Sequence, residues 1–311
     1  MRVARRGRTM WWVLGTLVAI AVLLAIGLQV AIARNGPAVL DTVDRIAGGA
    51  RGVERTGPIA YGDHAQQKLY VQRIPVVETN EVRPVVVFVH GGSWRDGDPQ
   101  YYDFIGRNLA PRGFVVVNLG YRLGTDGRWP AMLEDSASGV AWVKANIAEY
   151  GGDPERITLM GHSAGAYNVA MLALDEQWLG REGLSSADIA GVISLAGPLD
   201  FYPFDSDSTR AAFATATRPE MTQPVNHITG RAPPFLLLHG LDDTTVKPRN
   251  SRKLDTLLRQ AGDAVRLVEY PQMDHTGIIM ALATPWSGRD TVTAEVLEFA
   301  RNPRSSVPVQ P

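Results

Sequence analysis

Six short, solidly apolar runs recur along the chain, each followed by turns or by a stretch with helical spacing, and this alternation constrains the fold more than any other feature. The runs are Val85–His90 (VVVFVH), Phe114–Asn118 (FVVVN), Ile157–Met160, Ile189–Leu195, Phe235–His239 (FLLLH) and Val265–Tyr270. Helical patterns fall at about Tyr102–Ala110, Met132–Glu149, Ala164–Leu174, Arg249–Gln260 and Val292–Ala300. A strand that is apolar on both sides must be covered on both sides. The expected fold class is therefore α/β, with a mostly parallel central sheet and helices on both faces. In such sheets ligands and chemistry gather beyond the carboxyl ends of the strands.

One run meets its helix through an unusual joint. Arg156–Met160 reads as a buried strand and Ala164–Leu174 as an apolar helix, with Gly161-His162-Ser163-Ala164-Gly165 between them. This fits the G-x-S-x-G nucleophile elbow, a tight strand-to-helix turn that leaves no room for side chains at the glycines and pushes the serine hydroxyl above the sheet. A serine hydroxyl needs a base. Of six histidines, His90 and His162 sit inside motifs and are expected to bond locally, His239 ends a strand, and His64 and His227 lie in polar loops. His275, in YPQMDHTGI, follows the last strand, where the base belongs when the order is Ser…Asp…His. The orienting acid should follow the penultimate strand, and FLLLHGLDDTTVKP offers both Asp242 and Asp243. The glycines of VFVHGGSWRDGD can turn backbone N–H groups toward an anion, completing an oxyanion hole with the N–H of Ala164. No G-K-[ST] follows these glycines, so a P-loop is excluded, and no His or acidic pair has metal-ligand spacing.

Composition narrows the remaining classes. The chain has 311 residues and no cysteine, which excludes disulfides, thiolate zinc sites and a cysteine nucleophile. Arg2, Arg5, Arg6 and Arg8 fall in the first 33 residues with no acid; without them 27 basic residues face 32 acidic ones. A mildly acidic body argues against nucleic acid as a partner. From Thr9 to Ala33 there is no charged residue. As a helix this stretch would be roughly 36 Å long, against a hydrocarbon core of about 30 Å. Trp11 and Trp12 stand at its start, as interfacial aromatics do, and the arginines should stay cytoplasmic. The expectation is a basic segment and transmembrane signal-anchor over 1–33, with the remainder on the non-cytoplasmic side of the membrane. The alternative is secretion after cleavage near Ala33, since Ala31-Ile32-Ala33 has the A-x-A form. Residues 34–57 read as a linker that includes a short amphipathic helix, 58–302 as the catalytic domain and 303–311 as a disordered tail.

The chain resembles the α/β-hydrolase superfamily, and within it the esterases and formamidases with an HGGxW motif. The resemblance rests on His90-Gly91-Gly92-Ser93-Trp94, Tyr121-Arg122-Leu123, Pro130, Asp135, YGGDPERITLMGHSAG, Gly197-Pro198-Leu199-Asp200, PPFLLLHGLDDTTVKP and His275, in order over about residues 58–301. It implies a Ser163–Asp243–His275 triad, because the family's HG-x-x-D-x-x-V places its acid on Asp243 and leaves Asp242 as the alternative. It implies oxyanion donors on the backbone of Gly92, Ser93 and Ala164. Ser93-Trp94 departs from the HGGG of hormone-sensitive-lipase-like esterases and moves the chain toward the BD-FAE-like and arylformamidase-like groups. The implied activity is hydrolysis of small or medium acyl esters through an acyl-enzyme, with no cofactor. The rivals are an arylformamidase or amidase with the same triad and, from another class, an inactive membrane-tethered binding protein. The insert from Phe201 to Arg231, with Phe201, Tyr202, Phe204 and Phe213, is expected either to shape the substrate pocket or to pack onto the body.

Overall fold

The computed structural model describes residues 3–49, 52–75 and 82–307. All six apolar runs form strands: β3 (Arg83–Val89), β4 (Val115–Leu119), β5 (Gly152–His162), β6 (Gly191–Leu195), β7 (Phe235–Gly240) and β8 (Val265–Tyr270). They pair in parallel throughout. Two further strands, β1 (Glu54–Ala60) and β2 (Lys68–Arg73), extend one edge in antiparallel fashion, giving the order β1-β2-β4-β3-β5-β6-β7-β8. These two carry no continuous apolar run. β1 has Gly57-Pro58 at its centre and a register shift between Thr56 and Ile59, tolerable because it is the edge strand. The folded sheet therefore starts at Glu54, earlier than residue 58.

The helices are α1 (Val3–Ile46), α2 (Asp103–Leu109), α3 (Ala131–Asn146), α4 (Ala164–Leu174), α5 (Gln177–Arg181), α6 (Asp207–Ala212), α7 (Arg249–Gln260), α8 (Gly277–Met280), α9 (Val292–Arg301) and α10 (Pro303–Ser306). Alternation along β3 divides the core. Val85, Val87 and Val89 pack with residues of α3, α4 and α7 on one face. Val86 and Phe88 pack with residues of α2, α8 and α9 on the other. Each fully buried aliphatic side chain contributes about 1.5–3 kcal/mol, so both covered faces hold the parallel strands and fix where their carboxyl ends stand. The segment read as a disordered tail is partly packed: Val307 is buried in the second cluster, and residues 308–311 lie outside the described residues.

α1 is two helices joined at Asn35, whose φ of −156° and ψ of 77° are not helical. The Asn35 side chain accepts a hydrogen bond from the N–H of Ala38 at 3.1 Å and so caps the second half. The halves, Thr16–Ile32 and Arg34–Ile46, meet at 112°. The second half is fixed to the body rather than lying loose. Arg107 of α2 donates to Asp44 Oδ2 and Asp41 Oδ1, both at 2.6 Å. The backbone N–H groups of Thr284 and Phe104 donate to the same two carboxylates. Among the described residues no single helix is long and apolar enough to cross a membrane; only the bent pair passes on length and composition together. The side chains of residues 1–15, Arg2, Trp11 and Trp12 among them, and of Ala33 lie outside the described residues.

Candidate active site

β5 ends in the elbow. Ser163 has φ 54° and ψ −121°, a left-handed conformation that a non-glycine residue adopts at a cost of about 1–3 kcal/mol. The turn closes tightly onto β3: a Cβ on Gly165 would run into the Val89 carbonyl oxygen. Ser163 N–H donates to the Leu195 carbonyl of β6 at 2.9 Å, which ties the turn to the sheet.

The three residues expected from the motifs meet in one line. His275 Nε2 lies 2.9 Å from Ser163 Oγ, and His275 Nδ1 lies 2.7 Å from Asp243 Oδ2. Of the two neighbouring acids, Asp243 is buried and faces the imidazole, while Asp242 is exposed and uses its backbone N–H to hold the Met273 carbonyl. Asp243 Oδ1 accepts from the N–H groups of Thr245 and Val246 at 2.9 and 2.8 Å. Burial alone would raise the pKa of this carboxyl. Contacts with His239 and His275 and the bond from Val246 outweigh it and hold the group well below the usual carboxylate range. His239 was not singled out in the sequence. It is buried at the end of β7, with Nε2 donating to the Val246 carbonyl at 2.7 Å and Nδ1 accepting from Ser251 Oγ at 2.7 Å. It therefore shapes the turn that carries Asp243.

The HGGSW segment after β3 makes the opposite wall. Gly92 (φ 120°), Ser93 (φ 56°) and Trp94 (φ 56°) form a left-handed run, closed by Arg95 and Asp96 N–H groups donating to the Gly92 carbonyl. A Cβ on Gly92 would strike the Asp96 carbonyl. Trp94 locks the turn. Its indole N–H donates to Asn168 Oδ1 at 3.1 Å, and its ring packs against Tyr167, Phe201 and Phe213. Ser93 and Ala164 line the cavity over Ser163, whereas Gly92 is not among its lining residues. As the first residue of α4, Ala164 has an N–H with no acceptor inside the helix. Arg122 and Asp135, two of the residues that carried the resemblance, take no place here; they form an ion pair at 2.6 Å that fastens the loop after β4 to α3.

The cavity over Ser163 holds about 230 Å³. Its lining combines the apolar Trp94, Pro198 and Phe201 with the polar Thr244, Thr245, Lys247 and Asn250. The 201–231 insert both shapes and packs. It contributes Phe201, Asp205, Ser206, Ser208 and Thr209 to the lining, while Phe204 and Phe213 stack on each other with centroids 5.2 Å apart. Tyr202 is exposed at 46% and does not line the cavity. A second cavity of about 330 Å³ shares Ser93, Trp94 and Ser208 with the first. Among the described residues no group of His, Asp or Glu has the arrangement of a metal site.

A strained serine elbow at the end of the middle strand of a mostly parallel eight-stranded sheet defines the α/β-hydrolase fold. The BD-FAE family pattern matches residues 73–258, and the chain belongs to that family. Among curated proteins it is 31% identical to a probable isoprenylcysteine alpha-carbonyl methylesterase, ICMEL1, of Arabidopsis thaliana, over 71% of this chain and 51% of that protein. It is 32% identical to esterase LipQ of Mycobacterium tuberculosis, over 71% of this chain and 57% of that one. The chain thus spans little more than half the length of these relatives. Among solved structures, esterase B of Lactobacillus rhamnosis superposes with a TM-score of 0.73 at 20% identity, over 89% of this chain and 94% of that chain. Thermogutta terrifontis esterase 2, phosphoramylated by tabun, superposes with a TM-score of 0.67 at 24% identity, over 80% and 93%. At these identities the two structures speak to the fold.

Proposed function

We propose that the chain is a serine carboxylic-ester hydrolase that works through an acyl-enzyme. The observation that carries this reading is the unbroken hydrogen-bonded line from Ser163 Oγ through His275 to the buried Asp243, on a serine held at positive φ. His275 Nε2 takes the Ser163 proton as Oγ attacks the ester carbonyl, and returns it to the leaving alcohol. Asp243 keeps the proton on Nδ1 and stabilises the imidazolium that forms. The backbone N–H groups of Gly92, Ser93 and Ala164 receive the oxyanion. A water, activated by the same imidazole, then releases the acid. The names of the relatives, esterases and methylesterases, support an alkoxide leaving group over an amine. The test is turnover of p-nitrophenyl acetate and butyrate beside an N-formyl aryl amide, by the parent and by Ser163→Ala. Ester turnover that drops by up to about 10⁶ in kcat in the variant is expected; amide turnover exceeding ester turnover would instead favour the formamidase.

The same reading holds the domain to the non-cytoplasmic face of a membrane through the first half of α1. Leu17, Val18, Leu23 and Ile26 there are all more than half exposed, which suits lipid and not water. The second half, bonded to the body through Asp41 and Asp44, stays outside the bilayer. Full-length protein should pellet with membranes and resist carbonate, and a chain starting at Arg34 should not. Release by carbonate of a chain that starts at Arg34 would point to cleavage near Ala33.

A further inference from the structure

The loop that carries His275 runs from the end of β8 to α8 and is held from both sides. Asp242 N–H, beside the candidate acid, donates to the Met273 carbonyl at 3.0 Å. Asp274 Oδ1 accepts from the N–H groups of Thr276 and Gly277, closing the turn just beyond His275. The remaining tie comes from the nucleophile elbow. The ring Nε2 of His162 lies 3.0 Å from the backbone carbonyl oxygen of His275, 113 residues away in sequence. A carbonyl can only accept, so His162 Nε2 carries the proton. The His162 ring is buried and its centroid sits 4.9 Å from that of His275.

We propose that His162 is a positioning residue for His275, and that its ring N–H, by holding the His275 carbonyl, sets the reach of the imidazole to Ser163. The proposal rests on the serine-hydrolase reading of the site. One tripeptide, Gly161-His162-Ser163, then carries both the nucleophile and the clamp on its base, so any shift of the elbow moves the two together. The donor is also a neutral one. Burial first, and then the neighbouring His275, lowers the His162 pKa to about 3. A neutral ring can grip the carbonyl without placing a positive charge beside the imidazolium that His275 becomes.

The experiment compares His162→Leu, which keeps bulk but has no donor, with His162→Gln, whose amide N–H reaches about as far as Nε2. Misplacing a reacting group by about 1 Å costs up to roughly 100-fold. His162→Leu should therefore lower kcat on p-nitrophenyl acetate by roughly 10- to 100-fold with KM little changed, and His162→Gln should return most of it. In parallel, proton NMR should show the downfield His275 Nδ1–H signal in the parent and in His162→Gln, and its loss to exchange in His162→Leu. Equal losses in Leu and Gln, full activity in Leu, or a loss confined to KM would each overturn the proposal. If His162→Leu does not fold, His162→Asn, whose amide is too short to reach, takes its place with the same expectation. If the parent turns over no ester at all, the hydrolase reading fails, and the NMR contrast still decides the positioning role.

Discussion

Asp243 and Asp44 are both carboxylates with fully buried side chains, and each has both oxygens satisfied. Asp243 accepts two backbone N–H groups on one oxygen and the His275 Nδ1–H on the other. Asp44 accepts the Thr284 N–H on one and Arg107 Nε on the other. The networks differ in what lies past the first partner. Beyond His275 is a hydroxyl that opens onto a cavity, and an imidazole can pass a proton along. Beyond Arg107 is only a second carboxylate, Asp41, and a guanidinium does not give up its proton. Saturated charge in a protein interior therefore reads as machinery in one place and as a fastening in the other. The deciding features are a titratable middle member and an open end.

The largest expected effect is at the candidate acid. Asp243→Asn should lower kcat by roughly 10⁴, because the amide favours the wrong tautomer of His275. Asp242→Asn, at an exposed side chain, should be close to neutral. Steady-state kinetics on one ester decides it, and reversed effects would move the acid by one residue. The network that fastens the second half of α1, the arm formed by Arg34–Ile46, should respond in stability and not in rate. Arg107→Met leaves the buried Asp44 without its cationic partner, while Asp41 keeps Arg45, and should cost about 3–5 kcal/mol, read by urea denaturation, with kcat on the folded fraction unchanged. An undiminished midpoint would mean that the second half of α1 is not fastened as described.

Buried histidines add a dependence of stability on pH. His90 is lowered to about 4 by burial, and His162 to about 3 by burial and then by His275. Both are neutral when folded and take up protons more readily when unfolded. Their stabilisation is complete above about pH 6.5 and is lost as the pH falls through the folded values. Each should contribute a slope of roughly 1.4 kcal/mol per pH unit in that window. Denaturant titrations from pH 7 to pH 4 should follow that slope, and a flat profile would contradict the buried neutral state. Arg107, charged throughout, adds nothing to it.

Much of the candidate site's arrangement was legible because the chemistry proposed for it requires particular residue types next to solid apolar strands. The elbow around Ser163, the loop carrying His275 and the six parallel strands all announce themselves in this way. The choice of Asp243 over Asp242 was not legible from pattern alone and came with the family resemblance; geometry supplies its reason in the burial of one side chain and the exposure of the other. The arm was not legible. Asp41 and Asp44 look like the solvated face of an amphipathic helix until Arg107, more than 60 residues on, is brought beneath them. β1 and β2 were missed because Gly57-Pro58, Lys68, Gln72 and Arg73 break any apolar run. The His162 contact was read as local because its partner is a backbone oxygen, which leaves no mark on a sequence.

In the proposed reaction Ser163, activated by His275, forms a covalent acyl-enzyme. A fluorophosphonate, which reacts with an activated serine as an ester carbonyl does, tests it most directly. Incubation with sub-stoichiometric amounts, followed by peptide mass spectrometry and residual p-nitrophenyl ester hydrolysis, should yield a single adduct on Ser163, with activity lost in proportion to labelling and no adduct in His275→Ala. Full labelling elsewhere, or turnover that survives a completely modified Ser163, would contradict the account.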